Sequence, residues 1–61
     1  MFKIGQKVKF ILSNQDAMIL DILKHTAGQI YTAPFDGYLI RLDTLQEMPV
    51  REFELEEIKD L

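Results

Sequence analysis

A run of alternating apolar and polar residues, placed just after an Asp-Gly turn signal, most constrains what this chain can fold into. Tyr38, Ile40 and Leu42 fall on one side of an extended backbone, whereas Arg41 and Asp43 fall on the other. A period of two residues is typical of a strand with one buried face. We therefore predict a half-buried strand from Tyr38 to Asp43.

The N-terminal part of the chain shows the same alternation. Over residues 7–12, Val8, Phe10 and Leu12 share one face and are predicted to point inward. The polar cluster at residues 13–16 predicts a turn. In the C-terminal part, residues 44–49 predict a connection, followed within 50–58 by a short strand, a tight turn and a last strand. The inward candidates of that last part are Val50, Phe53, Leu55 and Ile58.

The segment 17–24 is open to two interpretations. Its apolar residues fit a helical stripe, with Asp16 as an N-cap and Gly28 as the residue that ends the helix. They also fit a strand buried on both faces, and a short apolar run does not distinguish the two by periodicity alone. The neighbouring strands and short polar turns favour a strand, because a sheet would give this segment partners on both sides.

Residues 26–37 predict a loop. The segment contains Pro34 and two glycines, and proline is unsuited to a central strand. A short edge strand around Ile30 and Tyr31 is an alternative for its beginning or end.

The order of these elements resembles the SH3-like barrels, particularly their small bacterial, KOW-like and Tudor-like members. The resemblance spans nearly the whole chain and lies in residues 2–10, 17–22, 38–43 and 50–58. It implies a single domain over 1–61: an all-β, five-stranded SH3-like barrel with a 3₁₀ turn before the last strand. Ala17 and Gln6 depart from the glycine and acidic residue usual in that group, and the 26–37 loop is long.

The sequence contains little material for catalysis. No cysteine is present, so neither a disulfide nor a thiolate zinc site supports the core, and we predict no metal and no cofactor. His25 is the only histidine and Ser13 the only serine. We therefore predict a protein that is not an enzyme. No signal peptide or membrane-spanning run is evident, and the expected location is the cytoplasm.

Charge is distributed unevenly along the chain. Residues 1–25 carry four lysines and two acidic groups, whereas residues 26–61 carry three basic and eight acidic groups. The lysines suggest a KOW-like nucleic-acid-binding alternative, which the net charge of −3 opposes. Its candidate residues are Lys3, Lys7, Lys9 and Lys24. The acidic cluster of the C-terminal part is expected to be a solvated face: Glu52, Glu54, Glu56, Glu57 and Asp60.

Apolar residues in the predicted loop point to a protein interface. A domain of this size cannot bury all of them, and aromatic side chains beside a sheet are typical interface anchors. The alternative is that Tyr31 and Phe35 fold back and cover one end of the barrel. The candidate partner-binding residues are Ile30, Tyr31, Phe35, Tyr38 and Leu39.

A second apolar surface is expected on the outer side of the sheet. If the inward assignments hold, the apolar residues left outside are Ile11, Ile19, Leu23 and Leu39. The resulting hypothesis is a non-enzymatic SH3-like interaction module that binds a protein, or a second copy of itself, through the 26–37 loop and this apolar sheet face. Its size suits a small regulator or inhibitor, including one encoded by a phage or prophage.

Overall fold

A computed structural model describes residues 1–58 of the chain as one antiparallel sheet of five strands. The strands lie in the order β4-β3-β2-β1-β5, and a single 3₁₀ turn precedes the last strand. This confirms the all-β prediction and the 3₁₀ turn. The elements are β1 (Lys7–Phe10), β2 (Gln15–Leu23), β3 (Gly37–Leu42), β4 (Glu47–Val50), the 3₁₀ turn (Glu52–Glu54) and β5 (Leu55–Glu57).

The ambiguous segment 17–24 lies almost entirely in β2. It is hydrogen-bonded on both sides, with Ala17 opposite Val8 of β1 and Ile19 opposite Ile40 of β3. The prediction of a strand is confirmed and the helical alternative is wrong. Two flanking strands satisfy the backbone groups of β2 from outside, so the segment does not need the internal hydrogen bonds of a helix.

A β-bulge interrupts β2 at Leu20. Ile19 lies opposite Ile40 and Asp21 lies opposite Leu39, which leaves Leu20 as an extra residue in β2. A bulge bends its strand and increases the local twist. It also shifts the alternation of the residues that follow, so that Ile22 lies opposite the inward Tyr38, where it is 44% exposed.

Among residues 1–58, nine apolar side chains form the buried core. Four of them are completely enclosed, and each such aliphatic side chain contributes about 1.5–3 kcal/mol through burial. Ile19 is among these four, so its predicted place on the outer face is wrong, because it lies opposite the inward Ile40. The core comprises Val8, Phe10, Ala17, Ile19, Tyr38, Ile40, Leu42, Val50 and Leu55.

Two residues predicted to point inward are exposed instead. Leu12 is 84% exposed because β1 ends at Phe10 and the chain turns over residues 11–14, which ends the alternation. Phe53 is 75% exposed because it lies in the 3₁₀ turn, where a period of three replaces the period of two. Ile58 is half-buried.

The predicted connection over residues 44–49 is shorter than expected. β4 already begins at Glu47 and contains Pro49, which lies opposite Leu39. Because β4 is an edge strand, Pro49 can occupy it without removing a hydrogen bond to a strand on its outer side. At the start of β3, a Cβ atom on Gly37 would collide with the carbonyl oxygen of Val50, so the close pairing of β3 with β4 requires glycine there.

Candidate protein-binding surface

The loop between β2 and β3 (residues 24–36) is closed at its base by polar contacts. The N–H of His25 donates to Asp36 Oδ1 at an N···O distance of 2.7 Å. One step further in, the N–H of Thr26 donates to Thr32 Oγ1 at 2.7 Å, and that hydroxyl donates to the carbonyl oxygen of Lys24 at 3.2 Å. These contacts join the two ends of the loop. No edge strand forms around Ile30 and Tyr31, which excludes that alternative.

A further contact within the loop involves the His25 ring. His25 Nδ1 lies 2.8 Å from the carbonyl oxygen of Ala33. A carbonyl oxygen can only accept, so Nδ1 carries the hydrogen in this arrangement. The histidine therefore braces the loop.

The tip of the loop presents two large apolar side chains to solvent. Ile30 is 90% exposed and Tyr31 is 93% exposed. The chain reaches them through a turn in which Gly28 adopts a φ of 83° and the N–H of Gln29 donates to the carbonyl oxygen of Thr26. The alternative in which Tyr31 folds back over the core is therefore wrong.

Phe35 differs from the tip residues because it is half-buried. The guanidinium carbon of Arg51 lies 4.1 Å from the centre of its ring. Such a cation–π contact is worth about 0.5–1 kcal/mol at an exposed site. It fastens the C-terminal side of the loop to the segment that enters the 3₁₀ turn.

Tyr38 was expected on the partner-binding surface, but only 5% of it is exposed. It belongs to the inward face of β3, and its ring packs edge-on against Phe2 with centroids 5.5 Å apart. Its hydroxyl accepts a hydrogen bond from the N–H of Phe2 at 3.1 Å and donates one to Glu52 Oε1 at 2.8 Å. Tyr38 is therefore a core residue and not an anchor for a partner.

The pKa of Tyr38 lies above its ordinary value of 10.0. The hydrogen bond from the Phe2 N–H has the largest single effect and lowers the pKa. Burial of the phenol, together with the hydrogen bond to Glu52 and the repulsion between its carboxylate and a phenolate, raises the pKa and outweighs that effect.

Leu39 and Leu23 lie on the outer side of the sheet, but both are half-buried. Leu39 stands between Asp21 of β2 and Pro49 of β4. The apolar outer face is thus smaller than expected, and charged residues interrupt it.

A groove beside the base of the loop adds apolar surface that the sequence did not reveal. It has a volume of about 270 Å³, and Ile22, Leu23 and Tyr38 line it together with Lys24 and Asp36. The Leu20 bulge places Ile22 opposite Tyr38, and Ile22 is 44% exposed in this groove.

A separate apolar patch, here called the hairpin patch, consists of Ile11, Leu12 and Phe53. The N–H of Ile11 donates to the carbonyl oxygen of Glu54 at 3.0 Å, which joins the turn after β1 to the 3₁₀ turn. Two of its residues, Leu12 and Phe53, were expected in the core. The patch forms because β1 ends at Phe10 and because Phe53 lies in the 3₁₀ turn. Both features depend on the tertiary structure.

The four lysines of the nucleic-acid alternative do not form one surface. Lys7 and Lys9 lie on the outer side of β1, and Lys9 stands between Asp16 of β2 and Glu56 of β5. Lys24 lines the groove that also contains Asp36 and Glu52. Lys3 lies beside a surface pocket that includes Glu57. Acidic groups in these positions reduce the positive potential that a phosphate backbone would meet.

Within residues 1–58, no three histidine, aspartate or glutamate side chains are placed so that they could hold a metal ion. No helix in that part of the chain is long and apolar enough to cross a membrane. Asp60 of the predicted acidic cluster lies outside the described residues. Comparisons of the chain with family models, with curated proteins and with solved structures found no match.

Proposed function

We propose that the chain is a non-enzymatic interaction module that binds a protein partner through the loop of residues 24–36. The observation that carries this proposal is the exposure of Ile30 and Tyr31 at the tip of a loop with a braced base. Large exposed apolar side chains are unfavourable in water, and an aromatic anchor on an ordered loop loses little conformational entropy on binding.

The binding site extends from the loop tip to the adjoining groove. Phe35 is held by Arg51, so it supports the loop, while Ile22 in the groove offers a pocket for one apolar side chain of the partner. Among the residues expected from the sequence, Ile30 and Tyr31 are the anchors, and Phe35 and Leu39 border the surface. The partner is a protein or a second copy of this chain.

We also propose that the scaffold is an SH3-like barrel. Supporting features are the strand order, the 3₁₀ turn before β5 and the bulge at Leu20, because bulges supply the bending by which small sheets curl toward closure. Barrels of this type carry binding sites on their loops, which suits a small regulator or inhibitor. The nucleic-acid alternative has weaker support, because acidic neighbours accompany the lysines.

The experiment replaces the two anchors together, Ile30→Ala with Tyr31→Ala, and captures partners from the native cell on the immobilised chain. Both side chains are exposed, so the melting temperature should be nearly unchanged while capture weakens by at least about tenfold. Leu45→Ala is the matched control, because Leu45 is also exposed but lies in a different turn.

Sedimentation equilibrium tests whether the partner is a second copy. It is, if the wild-type chain is a dimer and the double variant is a monomer. The proposal is wrong if the double variant unfolds, since the loop would then belong to the core. It is also wrong if the variant retains the wild-type partners.

A further inference from the structure

The hairpin patch is remote in sequence from the proposed loop site and forms a compact apolar surface of its own. Leu12 is 84% exposed and Phe53 75% exposed, and Ile11 is about half exposed beside them. With Glu54 they line a shallow depression of about 250 Å³. The hydrogen bond from Ile11 to Glu54 holds the two contributing segments together, so the depression exists before any partner arrives.

The surroundings of this patch are acidic. Glu52 and Glu54 flank Phe53 in the chain, and Glu56 and Glu57 follow in β5. The nearest basic residue in the sequence, Arg51, directs its guanidinium at the Phe35 ring. Glu56 lies opposite Lys9, and Glu57 lines a surface pocket with Lys3, but within residues 1–58 none of Glu54, Glu56 and Glu57 forms an ion pair with a basic side chain. An apolar centre with a negative rim is complementary to an apolar segment that carries lysine or arginine.

The size of the patch favours a short segment over a globular partner. Three exposed side chains present on the order of 400 Å², given about 150–250 Å² for a large side chain. A stable dimer buries about 800 Å² on each partner. A two-fold dimer through this patch would also bring the acidic rims of the two copies together, and their like charges would repel.

We infer that the hairpin patch is a second docking site, which binds a basic amphipathic segment of a protein. Leu12 and Phe53 contact the apolar stripe of that segment, and the Glu54 carboxylate attracts its flanking basic groups. This site operates independently of the loop of residues 24–36.

The test uses a short synthetic amphipathic peptide of leucine and lysine, with its leucine and glutamate counterpart as the charge control. Binding is followed by fluorescence anisotropy at low and high salt. We expect the lysine peptide to bind, more weakly as salt rises, and the glutamate peptide not to bind.

Two variants of the full chain separate the apolar and electrostatic contributions. Leu12→Ser with Phe53→Ser should weaken binding of the lysine peptide by at least about tenfold, and both side chains are exposed, so the fold should persist. Glu54→Gln should weaken binding less and reduce its salt dependence. Glutamine can still accept the hydrogen bond that Glu54 Oε2 receives from the Arg51 N–H, so the 3₁₀ turn stays intact.

The matched control is Ile30→Ser with Tyr31→Ser, which should bind the lysine peptide as the wild type does. Equal loss of binding in this control would show unspecific contact with exposed apolar residues and overturn the inference. Unchanged binding by the Leu12 and Phe53 variant, or binding of the glutamate peptide, would also overturn it. If the wild type is a dimer and the Leu12 and Phe53 variant is a monomer, the patch binds a second copy of the chain instead.

Discussion

At the scale of single residues, Leu45 stands out because its backbone adopts the left-handed conformation, with a φ of 72°. It ends the turn between β3 and β4, where its N–H donates to the carbonyl oxygen of Leu42 at 2.9 Å. This position of a hairpin turn usually carries glycine. Leu45 is also 73% exposed, so little burial offsets the strain.

We expect Leu45→Gly to stabilise the protein by about 0.5–1 kcal/mol. A residue other than glycine in the left-handed region costs on the order of 1–3 kcal/mol, from which the extra entropy of glycine in the unfolded chain must be subtracted. Urea unfolding should show a higher midpoint with an unchanged slope.

Asn14→Gly is the control for this substitution. Asn14 has a φ of 57° in the turn after β1, and asparagine tolerates that conformation, so its replacement should change stability little. Destabilisation by Leu45→Gly would contradict the argument and show that the leucine side chain packs in the folded protein.

At the scale of elements, the loop of residues 24–36 depends on one hydroxyl. Thr32 Oγ1 accepts from the N–H of Thr26 and donates to the carbonyl oxygen of Lys24. We expect Thr32→Val, which keeps the shape of the side chain, to speed hydrogen exchange of the Thr26 amide by about tenfold. Global stability should fall by less than about 1 kcal/mol, because the loop opens without the sheet.

Thr44→Val is the matched control for Thr32→Val, since Thr44 is an exposed turn residue whose hydroxyl makes no hydrogen bond within residues 1–58. It should leave the Thr26 amide protected. NMR hydrogen exchange measures both variants. A parallel loss of global stability in Thr32→Val would mean that the loop and the sheet unfold as one unit.

The strands that could be predicted from the sequence are those whose buried face appears as a local alternation of apolar and polar residues. The alternation of apolar and polar residues identified the inward face of β3. The same alternation placed Tyr38 on the face of Ile40, which conflicts with the prediction that Tyr38 binds a partner. The glycine and proline content of residues 26–37 predicted a loop, but it left open whether Tyr31 is exposed or folds back over one end of the barrel. The polar contacts that brace the loop depend on tertiary structure and have no signal in the sequence.

The ends of the strands and the β-bulge could not be predicted from the sequence, because they depend on pairing between strands. β1 ends at Phe10 because β2 and β5 stop pairing with it there. The alternation of apolar residues continues to Leu12 and gives no sign of this strand end. The bulge at Leu20 shifts the alternation of the residues after it, and nothing in the apolar residues that precede Asp21 marks its position. The hairpin patch results from such an end, which is why Leu12 was assigned to the core.

At the scale of the whole molecule, both edges of the sheet carry features that discourage pairing with another sheet. β4 contains Pro49, which has no N–H to donate, and β5 is three residues long with Glu56 and Glu57. Proline, charge and short length are common protections of edge strands. The exposed apolar groups lie instead on turns and loops, where they can bind side chains without extending the sheet.

Tyr38 connects distant parts of the chain, because its hydroxyl joins β3 to Phe2 and to Glu52 of the 3₁₀ turn. Its pKa in the folded protein is raised above 10.0, so the folded state holds the phenolic proton more tightly than the unfolded chain does. The corresponding stability is fully present below pH 10.0 and is lost as the pH rises from there through the raised pKa.

We expect the urea midpoint of the wild type to fall in this alkaline window, and Tyr38→Phe to remove the Tyr38 share of that fall. At neutral pH, Tyr38→Phe should cost about 1 kcal/mol, because the Phe2 N–H and the Glu52 carboxylate lose a partner. Tyr31→Phe is the matched control, since Tyr31 is exposed and makes none of these contacts. It should retain the wild-type dependence on pH. A fall of equal size in Tyr38→Phe and the wild type would show that the phenol does not link the N-terminal segment to the 3₁₀ turn.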